Sequence, residues 1–463
     1  MNLSVYTMNA LLISTYEMGR QPFGLASPAA WLREAGVNVT CLDLSQHAMD
    51  EKAVLQADLI AFYLPMHTAT RIASCAVQKV RQLNPSVHLC AYGLYAPVNA
   101  EFLHKLGVNT ILGGEFEAGL VNLARRLQQA GPVEQPYQLE PTISLARQNF
   151  LVPDRAGLPS LSRYACLMLP EGTRRTVGYT EASRGCKHKC RHCPIVPVYN
   201  GKFRIVQRDI VLEDIRRQVA MGAEHITFGD PDFFNGIKHA VELVSALHHE
   251  YPDLSYDVTI KVEHLLKHSQ YLPVLKETGC AFVTTAVESV DDRILAFFDK
   301  GHTRADFINA VEMAREIGLI LVPTFVAFNP WISLEGYEDL LATVAALDLV
   351  ENLAPVQLAI RLLIPAGSYL LELPEVQRLV GPFDEAALSY RWQHPDPHVD
   401  ALQREIEAMV QQASKVGTDR RTIFEQAWAR LQRTMGNPGK PLPAVAPGRP
   451  RATIPYLNEP WFC

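Results

Sequence analysis

The chain has 463 residues, 48% of them hydrophobic and 20% charged, the balance of a soluble chain of two or three domains with sizeable cores. That composition excludes a disordered, collagen-like or coiled-coil protein, and a formal charge of −6 lacks the basic bias that phosphate-backbone binding leaves, so no nucleic-acid partner is expected. No run of 18 apolar residues occurs, and the start MNLSVYTMNALLISTYEMGR lacks the basic region and cleavage site of a secretion signal, so a cytoplasmic protein without a membrane partner is expected.

In residues 1–130, NALLIS, VNVTCLDL, ADLIAFYL, VHLCAYGL and NTILGG read as buried strands bounded by Gly, Pro and Asn. SPAAWLREAG, TRIASCAVQKVRQLN, NAEFLHKLG and EAGLVNLARRLQQAG between them have helical spacing. This alternation predicts an α/β fold, a doubly wound parallel sheet with helices on both faces. Residues 131–170 are Pro-rich and poorly periodic, a linker. From 171 to 375 the alternation resumes, with strands at RTVGYTEA, HITFGD, LSYDVTI, CAFVTTAVES, GLILVPTFVAF and PVQLAIRLLIP. Six strand–helix units fall short of an eight-stranded barrel and predict a partial, open β/α barrel whose chemistry lies at the C-terminal strand ends. Residues 376–436 read as a charged helical extension, and 437–463 as a Pro/Gly-rich tail ending in Cys463.

Nine cysteines without a signal peptide do not form a disulfide framework. Those in apolar settings such as VTCLDL and TGCAFV read as small buried hydrophobes. Cys186, Cys190 and Cys193, in EASRGCKHKCRHCPIVPVY, are different: soft thiolates spaced C-x3-C-x2-C converge on one metal or cluster within a single loop. Three ligands leave one iron of a 4Fe-4S cluster open. Zinc completed by His188 or His192 is the alternative on spacing alone.

With His192 as the aromatic residue just before the third Cys, and a partial barrel following, the chain resembles the radical S-adenosylmethionine (SAM) superfamily. The resemblance implies that the open iron chelates SAM's amino and carboxylate groups, and that one electron from the cluster breaks a carbon–sulfur bond to start radical chemistry. It also implies an electron donor such as flavodoxin or ferredoxin. Gly229-Asp230-Pro231-Asp232 stands where the family often has Gly-Gly-Glu near SAM's ammonium, so Asp230 or Asp232 is the expected partner and Gly229 gives close backbone approach. Glu288 matches an acidic residue that holds the ribose hydroxyls in related enzymes. A helix cap is the alternative role for each acid. TIKVEHLL places Lys261, Glu263 and His264 near the barrel mouth as substrate contacts or proton shuttles, or else as a solvated loop opening a helix. Arg361, with neighbouring apolar residues, is a candidate to line the pocket or to pack in the core.

The N-terminal domain looks like the cobalamin-binding domain that precedes many radical SAM barrels. An Asp-x-His-x-x-Gly cobalt-ligand motif is absent, since the first loop reads Tyr16-Glu17-Met18-Gly19-Arg20. His67 after the third strand, with Gly93, Gly113 and Gly114, are the expected contacts, and a degenerate structural domain is the alternative. Over most of its length the chain resembles the CUAEP/CCAEP-tail radical SAM (seleno)proteins, on PMHTATR, YGLYAP, GGEFE, FGDPDFFNG, TIKVEHLL and IPYLNEPWFC. Members end in Cys-Cys-Ala-Glu-Pro or Cys-selenocysteine-Ala-Glu-Pro, so the expectation is a UGA codon read as stop after Cys463, against a natural C-terminal Cys without a role. A thiol–selenol pair there would re-reduce a cluster or substrate, or hold a soft metalloid such as arsenic or selenium.

The reading is therefore a radical SAM enzyme acting on an unidentified small molecule. Methyl or 3-amino-3-carboxypropyl transfer from SAM, including to a thiol-held metalloid, is the alternative within enzymes. A zinc-stabilised binding protein is the alternative outside them.

Overall fold

The computed structural model describes residues 7–130, 138–443 and 456–458. The N-terminal sheet is parallel, with β1 (Asn9–Ser14), β2 (Asn38–Asp43), β3 (Leu59–Tyr63), β4 (His88–Tyr92), β5 (Thr110–Gly114) and β6 (Ile143–Ser144) in the order β2-β1-β3-β4-β5-β6. Its strands are almost wholly apolar because both faces are covered. Alternation sends Leu11, Ile13, Ile60 and Phe62 into one core and Ala10, Leu12, Leu59 and Ala61 into the other.

The stretch expected as a linker is largely tied down. β6 extends the sheet by pairing Ile143 and Ser144 with Gly113 and Gly114. Arg155 is buried, and its guanidinium donates to both carboxylate oxygens of Asp214 (3.0 and 2.9 Å), to Gln21 (2.8 Å) and to the Tyr179 carbonyl (2.7 Å).

The second sheet contains β7 (Cys166–Met168), β8 (Arg174–Thr180), β11 (His225–Phe228), β12 (Ser255–Thr259), β13 (Cys280–Glu288) and β14 (Leu321–Phe325). A short ribbon of β9 (Ser183–Gly185) and β10 (Phe203–Ile205) sits above it, and a hairpin of β15 (Val380–Asp384) and β16 (Ser389–Trp392) lies in the extension. The sheet order is β14-β13-β12-β11-β8-β7-β17, where β17 (Tyr456–Leu457) pairs antiparallel with β7. β8 and β11 to β14 are mutually parallel, so this is an open α/β half-barrel. The sixth predicted strand does not form. Residues Pro355–Leu358 make a 3-10 turn, the Gln357 side-chain oxygen accepts the Phe325 N–H (2.9 Å), and only a bridge between Phe328 and Arg361 remains of the expected ladder.

The extension is helical over Pro397–Lys415 and Arg420–Thr434, but the β15–β16 hairpin precedes these helices. Ile406, Phe424 and Trp428 join the barrel's hydrophobic core. Among the described residues, no helix is long and apolar enough to cross a membrane.

Candidate functional site

The cysteine loop leaves the sheet through β9. Gly185 has φ +73°, and a Cβ there would lie 2.3 Å from the Tyr199 ring, so the turn before Cys186 requires glycine. The loop is pinned from both sides. The Arg191 N–H donates to the Phe298 carbonyl (2.9 Å), and the Lys187 N–H donates to Asn235 Oδ1 (3.3 Å). Cys190 is buried, and Cys186 and Cys193 are partly so. Burial pushes the Cys186 thiol up to about 11 and Cys193 to about 12, so both are neutral thiols until a cation claims them.

Lys300, 2% exposed, supplies fixed positive charge beside this loop. Burial opposes its ammonium, but Glu288 and the sulfurs of Cys190 and Cys193 outweigh it and hold its pKa above the ordinary lysine value. Lys300 Nζ lies 3.4 Å from Glu288 Oε1, which also meets His192 Nε2 at 3.2 Å. Burial works against the Glu288 charge, yet Lys300 and His192 bring its carboxyl down to about 2. Glu288 sits at a bulge where β13 ends, with φ +70°, a conformation costing a non-glycine residue about 1–3 kcal/mol. The structure thus holds a strained, charged carboxylate at the strand end where one was expected.

Asp230, at the end of β11, is buried and binds backward onto the cysteine loop. Its Oδ1 accepts from Ser183 Oγ (2.5 Å) and its Oδ2 from the Ala182 N–H (2.9 Å). Burial lifts its carboxyl to about 7 despite those hydrogen bonds. Gly229 faces Tyr179: an added Cβ would lie 1.8 Å from the tyrosine oxygen. Asp232 caps the turn at Phe233–Gly236, its Oδ1 accepting from the Phe234 N–H (3.1 Å), and its Oδ2 meets His264 Nδ1 at 2.7 Å. His264 Nε2 lies 3.1 Å from His188 Nε2, His188 Nδ1 lies 3.5 Å from Glu263 Oε2, and Glu263 Oε2 meets Lys261 Nζ at 3.3 Å. The structure therefore joins His264 to Asp232 directly, and Glu263 and Lys261 to His264 through His188.

The two sheets meet at their carboxyl ends around a cavity of about 470 Å³. Met18, Tyr63, Met66 and Phe116 form part of its wall on one side, and Glu181, Gly229, Asp230 and Thr259 on the other. Beside it, the Arg184 guanidinium, 7% exposed, reaches out of the cysteine loop to Glu117 Oε1 (2.7 Å), Glu115 Oε2 (3.5 Å) and Glu181 Oε2 (2.6 Å). Burial pushes Glu115 up to about 7 even with Arg184 lowering it.

Other expected residues are used differently. His67 is not in the cavity wall: its Nε2 lies 2.6 Å from the Ala387 carbonyl oxygen of the β15–β16 hairpin. Gly113 is covered by Pro97, and Gly114, although in the cavity wall, is covered by the Ser144 carbonyl; Cβ atoms there would come within 2.1 and 2.2 Å. Arg361 anchors the extension, donating to Asp400 (2.6 Å) with its guanidinium 3.5 Å over the Trp392 ring. Cys463 lies outside the described residues. Sequence reasoning missed Lys300, Arg184 and Tyr179. Arg184 carried a usable signal, standing two residues before Cys186.

Residues 180–344 match the family model of the Radical SAM superfamily. This segment is a radical SAM domain. The chain is 24% identical over 325 residues to the hopanoid C-3 methylase of Methylococcus capsulatus, covering 67% of this chain and 62% of that protein. It is 27% identical over 173 residues to an uncharacterized methyltransferase of Pyrococcus horikoshii, covering 37% of each. The chain thus spans less than two thirds of either relative. Among solved structures, the cobalamin-dependent SAM radical enzyme OxsB with aqua-cobalamin bound has a TM-score of 0.71 at 13% identity, over 88% of this chain and 67% of that one. The radical SAM methyltransferase TsrM from Kitasatospora setae, with cobalamin and a 4Fe-4S cluster bound, has a TM-score of 0.58 at 16% identity, over 74% and 71%. These likenesses show the fold.

A radical SAM domain uses a 4Fe-4S cluster and SAM. The donor set fits the cluster. Among the described residues, the group whose ligand atoms all lie within 4.8 Å of one another is His188, Asp232 and His264, so the three cysteine sulfurs are not gathered at single-ion spacing. His192, which could complete a cysteine–zinc site, is engaged by Glu288.

Proposed function

We propose that the chain is a cobalamin-dependent radical SAM enzyme that transfers a methyl group from SAM to a small molecule held between the two sheets. The observation that carries this reading is the cavity, placed where the carboxyl ends of both sheets face each other with the cysteine loop beside it. The methylase and methyltransferase relatives and the cobalamin-bound structural neighbours support it. In this reading Cys186, Cys190 and Cys193 hold the cluster, which supplies the electron that cleaves SAM reductively. Glu288 and Asp230 face SAM's polar groups from the ends of β13 and β11, and Lys300 keeps Glu288 ionised beside them. Met18, Arg20, Tyr63, Met66 and Phe116 form the wall that would hold a corrinoid, which would supply the methyl-carrying cobalt. Docking of the sheets through Arg184 excludes water from the space between. Membership of the tail-bearing subgroup completes the reading, on the motifs quoted above.

The test is to reconstitute the protein anaerobically with cluster and corrinoid, reduce it, add SAM and identify products by mass spectrometry. S-adenosylhomocysteine from the methyl transfer and 5′-deoxyadenosine from the reductive cleavage, together with a retained corrinoid, are the expected result. Methylthioadenosine above the no-enzyme background would transfer the case to aminocarboxypropyl chemistry. Failure to retain any corrinoid after loading would overturn the cobalamin reading.

A further inference from the structure

Beside the cysteine loop lies a second donor set that the chemistry above does not use. We infer that His188, Asp232 and His264 bind a divalent transition-metal ion of the zinc class, separate from the cluster and clamping its loop to the barrel. The three come from different parts of the fold: His188 from between Cys186 and Cys190, Asp232 from the exit of β11, and His264 from the exit of β12. One ligand atom from each falls within 4.8 Å of the others. Asp232 and His264 are fully buried, and His188 is largely so.

The buried carboxylate–imidazole contact at the centre of this group is not satisfied by a hydrogen bond. Asp232 Oδ2 and His264 Nδ1 approach to 2.7 Å, yet neither atom makes an aligned hydrogen bond. Two buried polar atoms this close without a shared proton line cost free energy unless something satisfies both. A cation does. His188 Nε2 lies 3.5 Å from the same Oδ2 and 3.1 Å from His264 Nε2. Bonds of about 2.0–2.1 Å to a tetrahedral zinc place its ligand atoms about 3.3 Å apart, and Asp232 Oδ2 lies 2.7 Å from His264 Nδ1 and 3.5 Å from His188 Nε2, on either side of that spacing.

The remaining atoms of Asp232 and His188 are already assigned in a way that frees the ligating ones. Asp232 Oδ1 accepts from the Phe234 N–H, leaving Oδ2. Glu263 Oε2 stands 3.5 Å from His188 Nδ1, leaving Nε2, which is the outer carboxylate–histidine pairing that orients metal-bound imidazoles. Two imidazole nitrogens and one carboxylate oxygen suit zinc or iron(II), and three protein ligands leave a position open to water or another donor.

The test is zinc added anaerobically to the cluster-loaded protein, followed by gel filtration and metal analysis. The expected result is about one zinc per chain with the cluster iron unchanged. Zinc K-edge absorption should show only nitrogen and oxygen neighbours. His264→Gln and Asp232→Asn should each lose the zinc, and Glu263→Gln should weaken its binding about tenfold. If the buried variants fail to fold, His188→Gln on the loop gives the same reading. A chain with Cys186, Cys190 and Cys193 all replaced by Ala should still take up one zinc. Sulfur neighbours at about 2.3 Å, zinc lost in the cysteine-free chain, or zinc retained in His264→Gln would each overturn the inference. So would the absence of any zinc held through gel filtration.

Discussion

Replacing Arg184 by Met removes the guanidinium that meets Glu115, Glu117 and Glu181 while keeping most of the side-chain volume. Breaking a buried ion pair by deleting one partner costs about 3–5 kcal/mol when the remaining charge stays unpaired. Here the carboxyls have a cheaper option, which is to keep their protons. Burial has already raised Glu115 to about 7 from a model-peptide value of 4.5 and raised Glu181 as well, with Arg184 pulling both down. Without Arg184 both move higher. An acid whose folded pKa is raised holds protons that the unfolded chain has released, so stability falls as pH rises toward the folded value. In the variant this fall continues above pH 7. Each proton held only by the folded state costs about 1.4 kcal/mol per pH unit, so between pH 7 and 8.5 the variant loses about 2 kcal/mol more than the parent for one such proton and about 4 for two. The assay is urea unfolding of parent and variant at pH 6, 7 and 8.5, with iron content followed in parallel so that cluster loss is separable. A penalty that is the same at all three pH values would refute this account of the interface.

Three other outcomes follow from the site geometry. Gly229→Ala should cost about 1–3 kcal/mol by forcing a methyl onto the Tyr179 oxygen, and adding Tyr179→Phe should recover part of it in the same unfolding assay. Glu288→Gln should remove about 3 kcal/mol of stability that the parent has above pH 4.5 and loses as pH falls toward 2; an acid limb unchanged in the variant would count against the Lys300–Glu288–His192 cluster. Replacing Cys186, Cys190 and Cys193 by Ala should eliminate cluster iron, inorganic sulfide and all SAM cleavage, and any cleavage that survives would refute the assignment of the ligands.

The two sheets were legible because parallel strands covered on both faces must be apolar throughout, and runs such as ADLIAFYL and CAFVTTAVES have no other reading at that length. The same rule misled at PVQLAIRLLIP, which is apolar enough for a strand. There Gln357 caps the edge of β14 with its side chain, and the segment turns instead of pairing. β6 was illegible because two residues carry no period, and it is held by Gly113 and Gly114 from across the sheet. The cysteine loop, Asp230 and Glu288 could be found because their spacing and strand-end positions are local properties. Lys300 could not. In LAFFDKGHT it looks like an ordinary turn lysine, and only the fold brings Glu288 and the cysteine loop to it. His67 and Gly113 show the opposite case: their strand-exit positions are legible, but the neighbours that lie against them, Ala387 and Pro97, come from other parts of the chain.

The placement of Arg184 explains why the two domains and the cluster loop behave as one unit. In β9, alternation sends Ser183 and Arg184 to opposite sides. Ser183 bonds Asp230 of the barrel, and Arg184 bonds Glu115 and Glu117 of the N-terminal domain. Cys186 follows after Gly185, so the first cysteine of the triad hangs from a strand gripped by both domains. Three acids around one arginine leave an excess of negative charge, and Glu115 with a pKa of about 7 lets protonation relieve it near neutrality. The grip is therefore strongest where Glu115 holds its proton and loosens as pH rises. Because one short strand carries the contacts to both domains and leads directly into Cys186, the Arg184 substitution is the perturbation to make first.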